Sequence, residues 1–398
     1  MNLLVVSSWF PYPPNNGSKL RAYHLLRELS KRHIITLLSF AGPDEEQGTP
    51  GLSEICRVVK TVPGSPFKTG GSLGLRGLFS SLPRSYLQTY SPAMQDLVDR
   101  SLIGSHVAVG LQLGAALYLA NARSVPRIFE EAEVTVLREQ FTFQRRWHRR
   151  LRYGLTWWKF ARFMRRLTDG FDATTVVSEL ERNQMIRIGC DAGRIAVISN
   201  GVNPACLHVE ATPQPATLIY PGALTYWANY DAILGFLSDV FPLIRRVRPD
   251  VTLQVTGSTD GVRLDDLPNQ EGVIFTGYVS DIDALIAQST ACIVPLRGGG
   301  GTRLKIIQSM ALGTPVISTS KGAEGLAVAP EESILIGDTP QQFADQVLRL
   351  LADPTLRTRL SHNGRRLIAQ SYTWDQIGTQ LDALLSAAMN QHANRAAL

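Results

Sequence analysis

A chain of 398 residues with 44% apolar composition can bury sizeable cores, which excludes a disordered or fibrous protein and leaves room for two or three domains. Four scattered cysteines without CxxC spacing, Cys56, Cys190, Cys206 and Cys292, argue against a disulfide framework or a zinc site and fit a reducing compartment. A net charge of +6 suits an anionic partner without choosing among nucleotide, nucleic acid and lipid surface.

The apolar start at 3–6 is too short for a signal peptide, and no run approaches the roughly 20 residues of a membrane span. A cytoplasmic chain is therefore expected. From the N-terminus, a strand over 3–8, a helix over 18–31 and a strand over 34–40 set a βαβ rhythm, the signature of parallel sheets covered on both faces. A long loop rich in Gly and Ser is expected over 64–83. Further strands are expected at 58–62, 106–111, 127–130, 173–177 and 195–199, completing a first unit over 1–202. The stretch 203–215, with three prolines and no periodicity, reads as a linker. The rhythm restarts with strands at 217–220, 252–256, 273–276, 291–296 and 315–319 and a long helix over 230–246, giving a second unit over 203–372. A tail helix over 373–390, with Trp374, Ile377, Leu381 and Leu384 on one stripe, is expected to pack back on the first unit. Two doubly wound Rossmann-like units face across a cleft in this reading, and their ligands belong beyond the carboxyl ends of the strands.

The chemistry concentrates in 291–325, ACIVPLRGGGGTRLKIIQSMALGTPVISTSKGAEG, which reads strand, glycine loop, helix, turn, strand. Gly298, Gly299, Gly300 and Gly301 remove side chains where a backbone must approach a ligand, and Thr302 is placed to cap the next helix. Arg303 and Lys305 fall in its first turn, where free N–H groups and the helix dipole already favour an anion, and Gln308 lies one turn below Lys305. The stretch lacks the Gly-Lys-Ser/Thr ending of a Walker loop and the third glycine of the dinucleotide fingerprint. A diphosphate site is the favoured reading, and a glycine turn with two solvated cations is the other.

This segment resembles the donor-binding segment of retaining glycosyltransferases of family 4, of the group 1 type, with the GT-B fold. Six landmarks in order carry the resemblance: FPYPPNNGSKLRAYHLLREL (10–29), VVSE (176–179), ISNGVN (198–203), PGALTYWANYDAI (221–233), TGYVSD (276–281) and GTRLKIIQSMALGTPVIST (301–319). It implies an α/β GT-B enzyme that binds a nucleotide-sugar donor mostly through its second unit and a saccharide or lipid-linked acceptor through its first, with retention of configuration. Two departures stand out. The family's paired glutamates around the glycine loop correspond to Gly300 and Gln308, and its His-Asn-Val-Glu run corresponds to FEEAEVT (129–135), with Ala132 at the histidine position.

Arg303 and Lys305 are the expected electrostatic catalysts, with Glu131 as a further polar candidate; Glu131 and Glu133 can equally be surface-loop acids. Donor contacts are expected from Gly17, Gly222, Tyr278, Val279, Gly301, Thr302, Gln308 and Glu324, although Gly17 can also be an ordinary turn residue and Glu324 a solvated loop acid. No metal or other cofactor is expected, since the triplet Asp281 to Asp283 reads as a helix cap. His24 and His33 read as surface histidines. The segment 145–166 holds eight arginines, one lysine, six aromatics and no acid. It suits either an anionic membrane surface, placing the chain at the inner face of the plasma membrane, or a helix packing its rings on the first unit; no nucleic-acid module accompanies it. A non-catalytic GT-B scaffold and a sugar-nucleotide epimerase are the alternatives to a transferase.

Overall fold

The computed structural model describes residues 1–42, 45, 50–64, 90–142, 144, 146–299 and 303–396. Most of the Gly- and Ser-rich stretch 64–83 lies outside them, as do Arg145, Gly300, Gly301 and Thr302. The chain divides into two units, Met1–Asn200 with Trp374–Leu398, and Gly201–Thr373.

In the first unit, strands β1 (Asn2–Ser7), β2 (Ile34–Ala41), β3 (Val58–Pro63), β4 (Val107–Leu111), β5 (Arg127–Glu130), β6 (Ala173–Val176) and β7 (Ile195–Val197) form a parallel sheet in the order β3-β2-β1-β4-β5-β6-β7. The period of two along β1 sorts its side chains to opposite faces. Leu3 and Val5 join a core with Leu25, Leu29, Trp374 and Ile377, while Leu4 and Val6 join another with Met94, Ala115 and Phe160. Burial on both faces explains why the strand reads as an unbroken apolar run. Helix Gly17–Ser30 starts where the Asn16 side chain accepts the Lys19 N–H at 3.0 Å. Helix Trp374–Ala396 lies along it, and Gly378 makes that possible, because a Cβ there would fall 2.4 Å from Glu28 Cβ. His24 is not a surface histidine: it stacks on Trp374 at 5.0 Å, and burial, with Arg27 adding, holds its pKa down at about 4. His33 is not on the open surface either, its Nε2 lying 2.7 Å from Asp382 Oδ1 on the C-terminal helix.

In the second unit, β8 (Gln214–Pro221), β9 (Thr252–Thr256), β10 (Val273–Gly277), β11 (Ser289–Val294), β12 (Val316–Ser318) and β13 (Leu335–Ile336) run parallel in the order β10-β9-β8-β11-β12-β13. Both sheets thus follow the doubly wound order of a Rossmann fold. Two expectations are corrected. The stretch 203–215 is not a free linker: Pro204–His208 forms a 3-10 turn, Cys206 is buried in this unit's core, and β8 has begun by Gln214. The single helix over 230–246 is interrupted, with Trp227–Gly235 and Phe241–Val247 separated by a π-turn at Phe236–Val240. Pro242 has no N–H to continue the α-pattern, and the Phe241 N–H reaches back to the Phe236 carbonyl.

Candidate functional site

In the second unit the strand order reverses at the β8–β11 pair, and such a reversal opens a crevice beyond the carboxyl ends of the strands. Gly222 directly follows β8. After β11 the chain runs through Arg297, Gly298 and Gly299 towards helix Leu304–Ala311. A Cβ on Gly222 would lie 2.6 Å from Lys305 Nζ and 3.0 Å from Asn229 Nδ2, so the backbone approaches this lysine only because the residue is glycine. Lys305 Nζ donates to Asn229 Oδ1 at 3.0 Å and sits 3.8 Å from the Tyr220 ring centroid. Tyr220 Oη donates to the same oxygen at 2.7 Å, while Asn229 Nδ2 donates to the Ala223 carbonyl at 2.8 Å, which fixes the amide with its oxygen towards the ammonium. The lysine is therefore aimed without being neutralised by a carboxylate.

Arg303 is buried at 7% exposure, its Nη2 donating to the Gly299 carbonyl. It occupies the N-cap position of helix Leu304–Ala311 with no side-chain cap bond, and the expected cap, Thr302, lies outside the described residues. Two cations thus stand at one helix start. Burial pulls the Lys305 ammonium down from 10.5 to about 7, Arg303 pushing the same way against Cys292. A sign follows. Between about 7 and 10.5 the unfolded chain holds a proton that the folded lysine lacks, so stability rises with pH in that window, and Lys305→Met should flatten the slope in denaturation series. A bound diphosphate should restore the proton. Calorimetry at pH 8 in buffers of different ionisation enthalpy should show proton uptake on diphosphate binding, absent in Lys305→Met; wild-type binding without uptake would contradict this assignment.

The other expected donor contacts separate. Gln308 Nε2 donates to Asp283 Oδ1 at 2.6 Å, and Asp283 also accepts from Cys206 Sγ at 3.5 Å. Asp281 caps helix Ile282–Ala287 through the Ala284 N–H at 3.0 Å. Glu324 pairs with Lys321 after β12, while Tyr278, which is exposed, and Val279 follow edge strand β10. Gly301 and Thr302 lie outside the described residues.

Gly17 and Glu131 belong to the first unit. Gly17 opens its helix beside the Asn16 cap, and Lys19 in the same turn bonds Glu45. Glu131 follows β5, and Gln112 follows β4. Both hold left-handed backbone, φ 60° and 65°, a region that non-glycine residues rarely enter, and Gln112 Nε2 donates to Glu131 Oε2 at 3.0 Å. Burial raises the Glu131 carboxyl above the usual range; Arg21 and the Gln112 bond oppose this, and Glu130 adds to it. Ala132, at the family's histidine position, is wholly buried with its N–H donating to Thr175 O at 2.8 Å. Sequence reasoning missed Asn229, Tyr220 and Gln112. Asn229 stood inside the 221–233 landmark, whereas nothing local marked Gln112.

Two family models match the chain in succession: Glycosyltransferase Family 4 over 15–205 and Glycosyl transferases group 1 over 215–353. The chain belongs to this glycosyltransferase family. A phosphatidyl-myo-inositol mannosyltransferase of Propionibacterium freudenreichii subsp. shermanii is 29% identical over 52% of this chain and 57% of its own length. A GDP-mannose-dependent monoacylated alpha-(1-6)-phosphatidylinositol monomannoside mannosyltransferase of Corynebacterium glutamicum is 24% identical over 38% and 43%. The chain spans about half the length of the curated relatives it matches. Among solved structures, Anabaena HepE in complex with UDP and glucose has a TM-score of 0.71 at 16% identity, covering 97% of this chain and all of that one, and shares the GT-B fold. Sucrose-phosphate synthase from Thermosynechococcus elongatus gives 0.69 at 16%, covering 98% and all.

Proposed function

We propose that the chain is a retaining, metal-independent glycosyltransferase of glycolipid or polysaccharide assembly, working in the cytoplasm at an anionic membrane surface. The observation that carries this reading is the paired cation site, Lys305 aimed by Asn229 beside buried Arg303, at the sheet reversal of a unit matching the group 1 model. Cleaving the sugar–phosphate bond builds negative charge on the departing diphosphate. Fixed cations stabilise that charge without reorganising during the step. The second unit holds the donor. The first holds the acceptor, with Glu131 and Gln112 at the ends of adjacent strands as the groups that meet its hydroxyls. The acceptor hydroxyl attacks the anomeric carbon from the side the diphosphate leaves, the C–O bond to phosphate breaks, and the proton passes to the departing phosphate oxygen. The cations therefore serve twice, since they also draw that oxygen's charge.

Two donors recur among the similar proteins. HepE has been solved with UDP-glucose, and the Corynebacterium relative is GDP-mannose-dependent. A panel containing both should show slow donor hydrolysis and, with a saccharide or lipid-linked acceptor, a product of unchanged anomeric configuration by NMR. Isomerised donor would mean an epimerase. Binding without turnover would mean a scaffold, for which Gln308 turned to Asp283 and the buried Ala132 would be the reason. Metal independence has its own check. Asp281 and Asp283 are committed to a cap and to Gln308, so turnover should persist in EDTA; loss in EDTA with recovery in Mg²⁺ or Mn²⁺ would reverse that point.

A further inference from the structure

Helix Trp147–Thr168 carries no acidic residue, and its six aromatics and aliphatics do not share one environment. Phe160 is buried, and Trp157 and Phe163 pack on the first unit's core. On another face Trp147, Leu151, Leu155 and Trp158 remain 74%, 67%, 48% and 57% exposed. Their spacing of four, four and three places them on one stripe, about 16 Å long at 1.5 Å per residue. Arg146, Arg149, Arg150 and Arg152 are exposed around it.

The stripe does not end in bulk solvent. Trp158, its last member, is also a wall of a groove of about 540 Å³ between this helix and the end of helix Gln112–Leu119. Arg123, Lys159, Arg162 and Arg166 line that groove, Phe163 adds an apolar wall, and no carboxylate is among its lining residues. Arg162 lies over the Trp158 ring at 5.9 Å. We infer that this groove receives the phosphate headgroup of an anionic phospholipid while the stripe beside it lies in the acyl boundary, so that the first unit docks on the membrane through one continuous surface. The assignment rests on the reading above of a transferase working at a membrane.

The chemistry selects the occupant. Arg123, Arg162 and Arg166 converge on a groove with no carboxylate among its lining residues, which favours an anion, and a second copy of the chain would bring the same positive face. A nucleic acid would satisfy the arginines but leave Leu151 and Leu155 in water, whereas a lipid with an anionic head and an apolar tail matches both halves. Among the described residues no helix is long and apolar enough to cross a membrane, and a helix lying in the interface needs no such span.

The test is co-sedimentation of the full chain with vesicles of phosphatidylcholine alone or mixed with phosphatidylglycerol. Binding should require phosphatidylglycerol. Each basic residue at an anionic surface contributes about fivefold in affinity, so Arg162→Gln with Arg166→Gln should weaken it about 25-fold. The paired control Arg246→Gln with Arg366→Gln, exposed in the second unit, should change nothing. Leu151→Ser should lower the fraction that stays bound in high salt, because insertion is screened less than charge attraction. Leu151 is exposed and remains informative if Trp158→Ala fails to fold. Inorganic phosphate should not displace the protein from vesicles. Equal binding to both vesicle types, no binding, equal loss in the control pair, or a preference for competitor RNA over vesicles would each overturn the assignment. Vesicle binding is read without turnover, and donor hydrolysis without vesicles, so either reading can fail alone.

Discussion

Replacing Arg303 or Lys305 by alanine should lower turnover by about 10²-fold or more and weaken nucleoside diphosphate binding, the usual scale for a lost donor at developing charge. The expectation rests on placement rather than on charge alone. Lys305 is held by an amide oxygen and an aromatic face, both neutral, so its charge is available to a ligand. Alanine would also leave Tyr220 and Asn229 facing a void, so Lys305→Met, which keeps the aliphatic stem, is the cleaner variant. It should retain the melting temperature near neutral pH, or raise it, because a buried ammonium is costly there. Lys305→Arg should rescue poorly, since Gly222 leaves no room for a planar guanidinium. Steady-state kinetics with a fixed donor decide the matter: unchanged kcat in both alanine variants would remove this cluster from the mechanism.

How far the site was legible follows from the range of its interactions. Arg303, Lys305 and the glycines before them sit in one segment, so composition and order sufficed to find them. Asn229 and Tyr220 are 76 and 85 residues away in the chain, and only the β8–β11 pairing brings them to Lys305. Gln308 shows the opposite limit. Helical spacing placed it below Lys305, yet the Asp283 carboxylate claims its amide, and periodicity cannot report a competitor from another helix. The sheets were legible because apolar strand runs alternate with helices. The π-turn was not, because one proline inside a periodic stretch does not announce whether the helix ends, bends or widens. In helix Trp147–Thr168, composition marked the mixture of rings and arginines, but the division between core-facing Phe160 and exposed Trp147 and Trp158 needed the packing.

Substituting Arg21 should destabilise the first unit by about 3–5 kcal/mol, the range for breaking a buried ion pair by removing one partner. Arg21 and Glu130 side chains are each 1% exposed. The guanidinium donates to Glu130 Oε1 through Nε at 2.9 Å and through Nη2, to the Ser199 carbonyl and Asn200 Oδ1 at 2.9 Å each, and to the Ile198 carbonyl at 2.8 Å. One side chain thereby ties helix Gly17–Ser30 to the end of β5 and to the segment leaving β7. Burial is the largest single influence and opposes the charge, but the charge and hydrogen bond of Glu130 together with the charge of Glu131 outweigh it, and the guanidinium is held above its ordinary range. Arg21→Met leaves Glu130 as a buried carboxylate with Thr175 Oγ1 at 3.3 Å, and three backbone or amide oxygens lose a donor. If the penalty comes from the orphaned charge, adding Glu130→Leu should recover part of it, because replacing both partners of a buried pair by apolar residues is often close to neutral. The unpaired Ile198 and Ser199 carbonyls keep recovery incomplete. Urea denaturation of the wild type, both single variants and the double variant measures the coupling directly. A single variant within about 1 kcal/mol of wild type, the scale of an exposed pair, would show that this ion pair does not hold the unit together.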